Sequence, residues 1–195
     1  ARWRGHDAVR RERLHRAMLP VDPGTRAARG WIVLRATPAA RSRLFALSAA
    51  TRLGDMAAEA VCTRLLAAAH SDLGDYGESS RLFTASLTLY QRLGNRLGEA
   101  KVQFNLAALA EGQGRYADML GHSEQALRLY RAIGDKASEA GALNNVGWTH
   151  CLLGDYEQAR AFCRQALALC TEVGHHWLEG YVWDSLGYAE HHLGN

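Results

Sequence analysis

The sequence predicts an all-α fold, a right-handed superhelical solenoid of antiparallel helix pairs. Three observations carry this prediction. First, a period of 40 residues runs without insertion or deletion from about residue 46 to the end. Leu53-Gly54, Leu93-Gly94, Ile133-Gly134 and Val173-Gly174 mark one phase of it. Leu73-Gly74, Gln113-Gly114, Leu153-Gly154 and Leu193-Gly194 mark the other. Second, Glu59-Ala60, Glu99-Ala100, Glu139-Ala140 and Glu179-Gly180 keep the same register, as do Tyr76, Tyr116 and Tyr156, and then Tyr90, Tyr130 and Cys170. Third, apolar and small residues between these marks follow three-four spacing, the period of a helix face. A fixed period of this length means stacked units, each burying one face on its neighbours.

The elements follow in chain order. Asp7 to Leu19 reads as a helix, and Val21-Asp22-Pro23-Gly24-Thr25 as a loop. Gly30-Trp31 resembles Gly147-Trp148 with about three residues deleted, and Ala46 to Ala50 aligns with Ala126 to Tyr130. Residues 1–51 are thus a degenerate start, with a shortened repeat over about 22–51. Full repeats follow at 52–91, 92–131 and 132–171, then a truncated one at 172–195 holding a first helix over about 175–193. About ten helices and no strands are expected.

Residues 132–171 show how each unit is built. Ala137 to Leu152 reads as the first helix. Gly154 ends it in the left-handed conformation, and Asp155 caps the second, roughly Tyr156 to Cys170. Small residues recur where the two helices approach: Ala67, Ala107, Gly147 and Gly187 on first helices, Ser86, Ala126 and Ala166 on second ones. The tyrosine after the turn is expected to fill the wedge between helices. Met119 stands where a small residue is expected and Arg115 replaces the capping Asp, so the middle repeat is expected to pack less tightly. Val182, Trp183 and Leu186 are expected to form an uncovered apolar face on the last helix.

Leu143-x-x-Val146-Gly147, Gly154-Asp155-Tyr156, Ala159 and Ala166, with parallels in the other units, resemble the tetratricopeptide repeat in a 40-residue form. The whole chain is similar to the C-terminal repeat region of large bacterial transcriptional regulators, the antibiotic regulatory protein and large ATP-binding LuxR-type families. Carried over, the resemblance implies a concave groove lined by recurring places on the first helices. These are Val61, Arg64, Leu65 and Ala68; Lys101, Phe104, Asn105 and Ala108; Gly141, Asn144, Asn145 and Trp148; and Tyr181, Asp184, Ser185 and Tyr188. Asn105 and Asn145, one period apart, could clamp a peptide backbone through their amides. Trp148, Tyr181 and Tyr188 could serve as aromatic anchors.

Charge is uneven. Residues 1–52 hold twelve arginines against three acidic residues, whereas the remainder is net acidic. The four cysteines (Cys62, Cys151, Cys163, Cys170) form no Cys-x-x-Cys pair, which reads as reduced structural thiols in a cytoplasmic protein. No apolar run approaches the length of a membrane span. No phosphate loop, His-Glu-x-x-His motif or recognisable nucleophile context appears. His175-His176 and His191-His192 lack the company of a metal site and read as loop or exposed residues. The expectation is therefore no catalytic residue, no metal and no cofactor.

The function expected is a non-catalytic module that binds a protein or peptide segment, including other domains of the same polypeptide, as sensor or interaction domain of a regulator. Self-association through the uncapped C-terminal helix is a further expectation. The alternatives are nucleic-acid contact through the Arg-rich start and a stand-alone assembly scaffold. Against nucleic acid, the first helices carry no regular basic or base-reading positions. Because the chain begins at Ala1 and stops at Asn195 inside a repeat, it is expected to be a fragment of a larger polypeptide.

Overall fold

The structure is a computed structural model and describes residues 38–194. The helix expected at Asp7–Leu19, the loop at Val21–Thr25 and most of the shortened repeat lie outside the described residues. The chain divides into two compact units, Ala1–Ser42 and Arg43–Asn195; the account below concerns the second. The helices of the described residues are α1 (Pro38–Leu53), which begins before that unit, α2 (Met56–Asp72), α3 (Tyr76–Arg92), α4 (Arg96–Gly112), α5 (Tyr116–Ile133), α6 (Lys136–Leu153), α7 (Tyr156–Val173) and α8 (His176–His192). No strand occurs among the described residues.

One short device sets the 20-residue spacing of the turns. Each helix ends at a glycine with positive φ, from Gly54 at 69° to Gly194 at 84°. The next residue closes the turn by donating its N–H back to a carbonyl of the last helical turn: Asp75 to His70, Asn95 to Tyr90 and Asp155 to His150, each at 2.9 Å. This Schellman geometry satisfies carbonyls that a helix end leaves open. The same residue then caps the following helix. Asp55, Asp75, Asn95, Asp135 and Asp155 each accept a backbone N–H three residues on. His175 does so through its ring, and Arg115 makes no such bond. Connections of two or three residues leave consecutive helices no choice but to run antiparallel.

The core is a line of small and medium side chains. One cluster joins Ala100, Ala126, Leu127, Tyr130, Ala140, Leu143, Val146, Cys163, Ala166, Cys170, Val182 and Leu186, crossing from α4 to α8. Gly147 marks a close approach of α6 to α7: an added Cβ would lie 2.7 Å from Cys163 Sγ and 3.2 Å from the Ala159 carbonyl. At a second close approach, in the first repeat, Ser86 donates to the Ala60 carbonyl at 2.8 Å.

Two sequence expectations need correction. Met119 does not loosen the middle repeat; it is fully buried. One turn later, Ser123 stands where the first repeat has Phe83, while Met119 stands where it has Ser79. All four are buried. Bulk has moved from one position to its i+4 neighbour, so the total volume is kept, which cores tolerate. Nor is the whole apolar surface of α8 uncovered. Val182 and Leu186 belong to the core, and of the three residues expected there Trp183 alone lies open, beside the exposed rings of Trp177, Tyr181 and Tyr188 on the same helix. Gly187 meets nothing within 4 Å, whereas its counterpart Gly147 meets α7.

The recurrent tyrosine sits at the expected wedge but is half-buried. Tyr156 stacks on His192 at 4.6 Å between centroids, under the end of the next first helix. The fully buried tyrosines are Tyr90 and Tyr130, near the ends of the second helices.

Candidate functional site

The first helices of successive repeats are α2, α4, α6 and α8. Each presents the same register positions, and the side chains there are mostly open or half-buried. From α6 and α8, Asn144, Trp148, Tyr181, Asp184, Ser185 and Tyr188 line one pocket of about 390 Å³. All six were singled out from sequence. Phe104 and Gly141 instead line a second pocket of about 280 Å³ with Tyr130, Ala137, Ser138, His175 and Leu178. Lys101 is exposed, and Asn145 is half-buried beside Asn144.

Polar contacts tie neighbouring first helices together. Arg64 on α2 donates from Nη1 to Asn105 Oδ1 on α4 at 3.3 Å. Asn105 is therefore partly engaged within the protein, and its neighbour Arg64 keeps a buried Nε without a partner. Trp148 Nε1 donates to Glu111 Oε1 at 2.8 Å, bridging α6 to α4. The Trp148 ring meets Tyr188 edge-on at 5.5 Å, and Tyr181 leans on Trp177 at 4.7 Å. Asn144 Oδ1 is buried and has no partner. Ser185 is not free for a ligand: it is 6% exposed and its hydroxyl donates to the Tyr181 carbonyl.

The electrostatic character changes along this surface. Arg64 and Lys101 lie on α2 and α4, while Glu111 and Asp184 flank the aromatic pocket farther along. Burial pushes the Tyr130 phenol up, helped by the Asp135 carboxylate and opposed by Arg64.

The cysteines are free thiols. Burial pushes Cys151 to about 11 and Cys163 to about 12, so both stay protonated at neutral pH and unsuited to nucleophilic chemistry. Among the described residues, no group of His, Cys, Asp and Glu is placed to hold a metal ion. Among them, too, no helix is long and apolar enough to cross a membrane. His175 is a helix cap, and His191 and His192 are exposed rings at the end of α8.

Sequence reasoning missed three things here. Glu111, the partner of Trp148, lies 37 residues upstream and follows no repeat mark. His70, 3% exposed and 3.1 Å from Asp75 Oδ2, belongs to a turn rather than to the groove. Tyr90 leaves no space at Gly98, where an added Cβ would lie 2.1 Å from the ring.

Comparison with known proteins agrees with this architecture. The tetratricopeptide repeat pattern matches residues 59–132 and again 98–172. No curated protein matches the chain. Among solved structures, that of BtubC (BKLC) from P. vanneervenii is similar, with a TM-score of 0.56 and 17% identity. The match covers 71% of this chain and 62% of that one. The chain thus spans less than two thirds of that protein's length, and at this identity the likeness concerns the fold alone. Repeats of this kind generally mediate protein–protein interaction and generally act as non-catalytic scaffolds. The chain belongs to the tetratricopeptide repeat family.

Proposed function

We propose that this chain is a protein- or peptide-binding module whose concave face is lined by Arg64, Lys101, Phe104, Asn105, Asn144, Asn145, Trp148, Tyr181, Asp184 and Tyr188. One observation carries the reading. Positions that pack one helix on the next keep small or apolar residues from repeat to repeat, whereas these positions, Asn105 and Asn145 apart, change identity while holding one register. Side chains left open or half-buried yet held on rigid helices are what a recognition surface needs. Three aromatic rings around one pocket supply the kind of anchor that dominates interface energies.

The module serves, on this proposal, as sensor or interaction domain of a multidomain bacterial transcriptional regulator in the cytoplasm. What supports it is the resemblance of the repeat run to the C-terminal region of such regulators. Ligand or partner binding would then bias a switch domain elsewhere in the polypeptide.

Selection from a displayed peptide library tests the groove. Selected peptides should lose at least about tenfold in affinity to the Tyr181→Ala and Tyr188→Ala variants, as expected for truncated aromatic anchors. Arg128→Ala, on the outer α5, should bind normally. Equal binding to all of them would refute the groove. The complete reading frame tests the regulator. A winged-helix or helix-turn-helix region with a phosphate loop upstream supports it, and a frame encoding neither overturns it.

A further inference from the structure

We propose that the pocket between α6 and α8 accepts an arginine side chain from an extended segment of the partner. This inference rests on the groove reading above and adds to it the chemistry of the occupant. The pocket walls are Asn144, Trp148, Tyr181, Asp184, Ser185 and Tyr188. Two donors on those walls are already used within the protein: the Trp148 N–H on Glu111 and the Ser185 hydroxyl on a carbonyl. Two acceptors are without a partner among the described residues. Asn144 Oδ1 is buried without a donor. Asp184 is exposed, and no ion pair or hydrogen bond engages its carboxylate among the described residues. With Glu111 held against the indole, the walls offer negative charge, a bare amide oxygen and aromatic rings, and no cation.

That combination selects its guest. A carboxylate would meet Asp184 and Glu111. An aliphatic side chain would cover Asn144 Oδ1 and Asp184 with nothing to bond them. A lysine would answer the charge, but as a compact, strongly hydrated point. A guanidinium is planar, carries five N–H donors in a fixed fork, and can bond a carboxylate and an amide oxygen while lying on an aromatic ring. The opposite end of the groove, with Arg64 and Lys101, would repel the same group, which favours the α6–α8 end.

The test uses the whole protein and short acetylated alanine peptides carrying one central arginine, lysine, citrulline or glutamate. Citrulline keeps the shape of arginine without its charge. The indole N–H resonance of Trp148 reports binding. The arginine peptide should bind at least about tenfold more tightly than the citrulline or glutamate peptide, as charge-assisted bonds require. It should also bind more tightly than the lysine peptide. Asp184→Asn should abolish most of that preference with an unchanged circular dichroism spectrum. Citrulline binding as well as arginine, or an unchanged preference in Asp184→Asn, overturns the inference. If the arginine peptide fails while library-selected peptides still bind the concave face, the groove reading stands without this inference. If neither binds there, both fall.

Discussion

Substituting Gly98 by Ala should destabilise the protein, and the same substitution should stabilise it once Tyr90 is Cys. The added Cβ would lie 2.1 Å from Tyr90 Cδ1 and 2.3 Å from Cε1. Carbon atoms in good contact sit about 3.5–4.0 Å apart, so ring or helix must move by more than about 1 Å. Tyr90 is 3% exposed and has no room to retreat. Overpacking of this kind costs about 1–3 kcal/mol. Alanine returns up to about 1 kcal/mol of helix propensity. The net loss is then up to about 2 kcal/mol. At the third repeat the protein has already made the exchange: Cys170 replaces the tyrosine and Leu178 the glycine, and the two join one core. Tyr130 with Ser138 is the intermediate case. In a Tyr90→Cys background the clash is gone, and Gly98→Ala should gain about 0.5–1 kcal/mol from propensity alone. Urea unfolding followed by circular dichroism measures both. Slopes must be compared along with midpoints, because repeat arrays do not always unfold in one step. The same sign in both backgrounds would refute the idea that the two positions share one volume.

Gly154→Ala should cost about 1 kcal/mol, since its φ of 81° suits glycine alone. Gly121→Ala, mid-helix with nothing within 4 Å of the new Cβ, should instead gain about 0.5–1 kcal/mol by the same unfolding assay. Tyr156→Ala should be more destabilising than Tyr181→Ala. Tyr156 stacks on His192 and is half-buried, so the cost should fall to about 1–3 kcal/mol rather than the larger loss of a fully buried ring. A reversed order of midpoints would mean the helix faces are misassigned. In a thiol-titration experiment at mildly alkaline pH, Cys151 and Cys163 should react only as fast as the protein opens. Burial raises both thiols, so the reactive thiolate appears only well above the usual cysteine range. Cys62, half-buried and raised less, should react first. Stoichiometric fast reaction at Cys163 would contradict its burial.

The turns were legible in the sequence because each depends on one or two residues acting locally. A glycine must take positive φ, and an Asp or Asn must follow to cap. Those marks survive wherever the backbone needs them, so repeat boundaries could be read directly, including the missing cap at Arg115. The proposed groove positions came from the tetratricopeptide resemblance laid onto the 40-residue register, and Asn144, Trp148, Tyr181, Asp184 and Tyr188 do line one pocket. What could not be read were trades between positions. Ser79 with Phe83 and Met119 with Ser123 are each odd alone and ordinary together. Tyr90 with Gly98 bridges two helices. Val182 and Leu186 were misjudged because a terminal helix is open on one side only, and its other side still packs on the preceding repeat.

The central claim is that the concave face of α6 and α8 is where this module meets its partner. Backbone amide chemical-shift mapping with a library-selected peptide tests it most directly. The account expects the largest shifts around Asn144, Trp148, Tyr181 and Asp184, together with the Trp148 indole N–H, and little change along the outer faces of α5 and α7. Shifts concentrated on those outer faces, with the Trp148 indole unmoved at saturation, would contradict it.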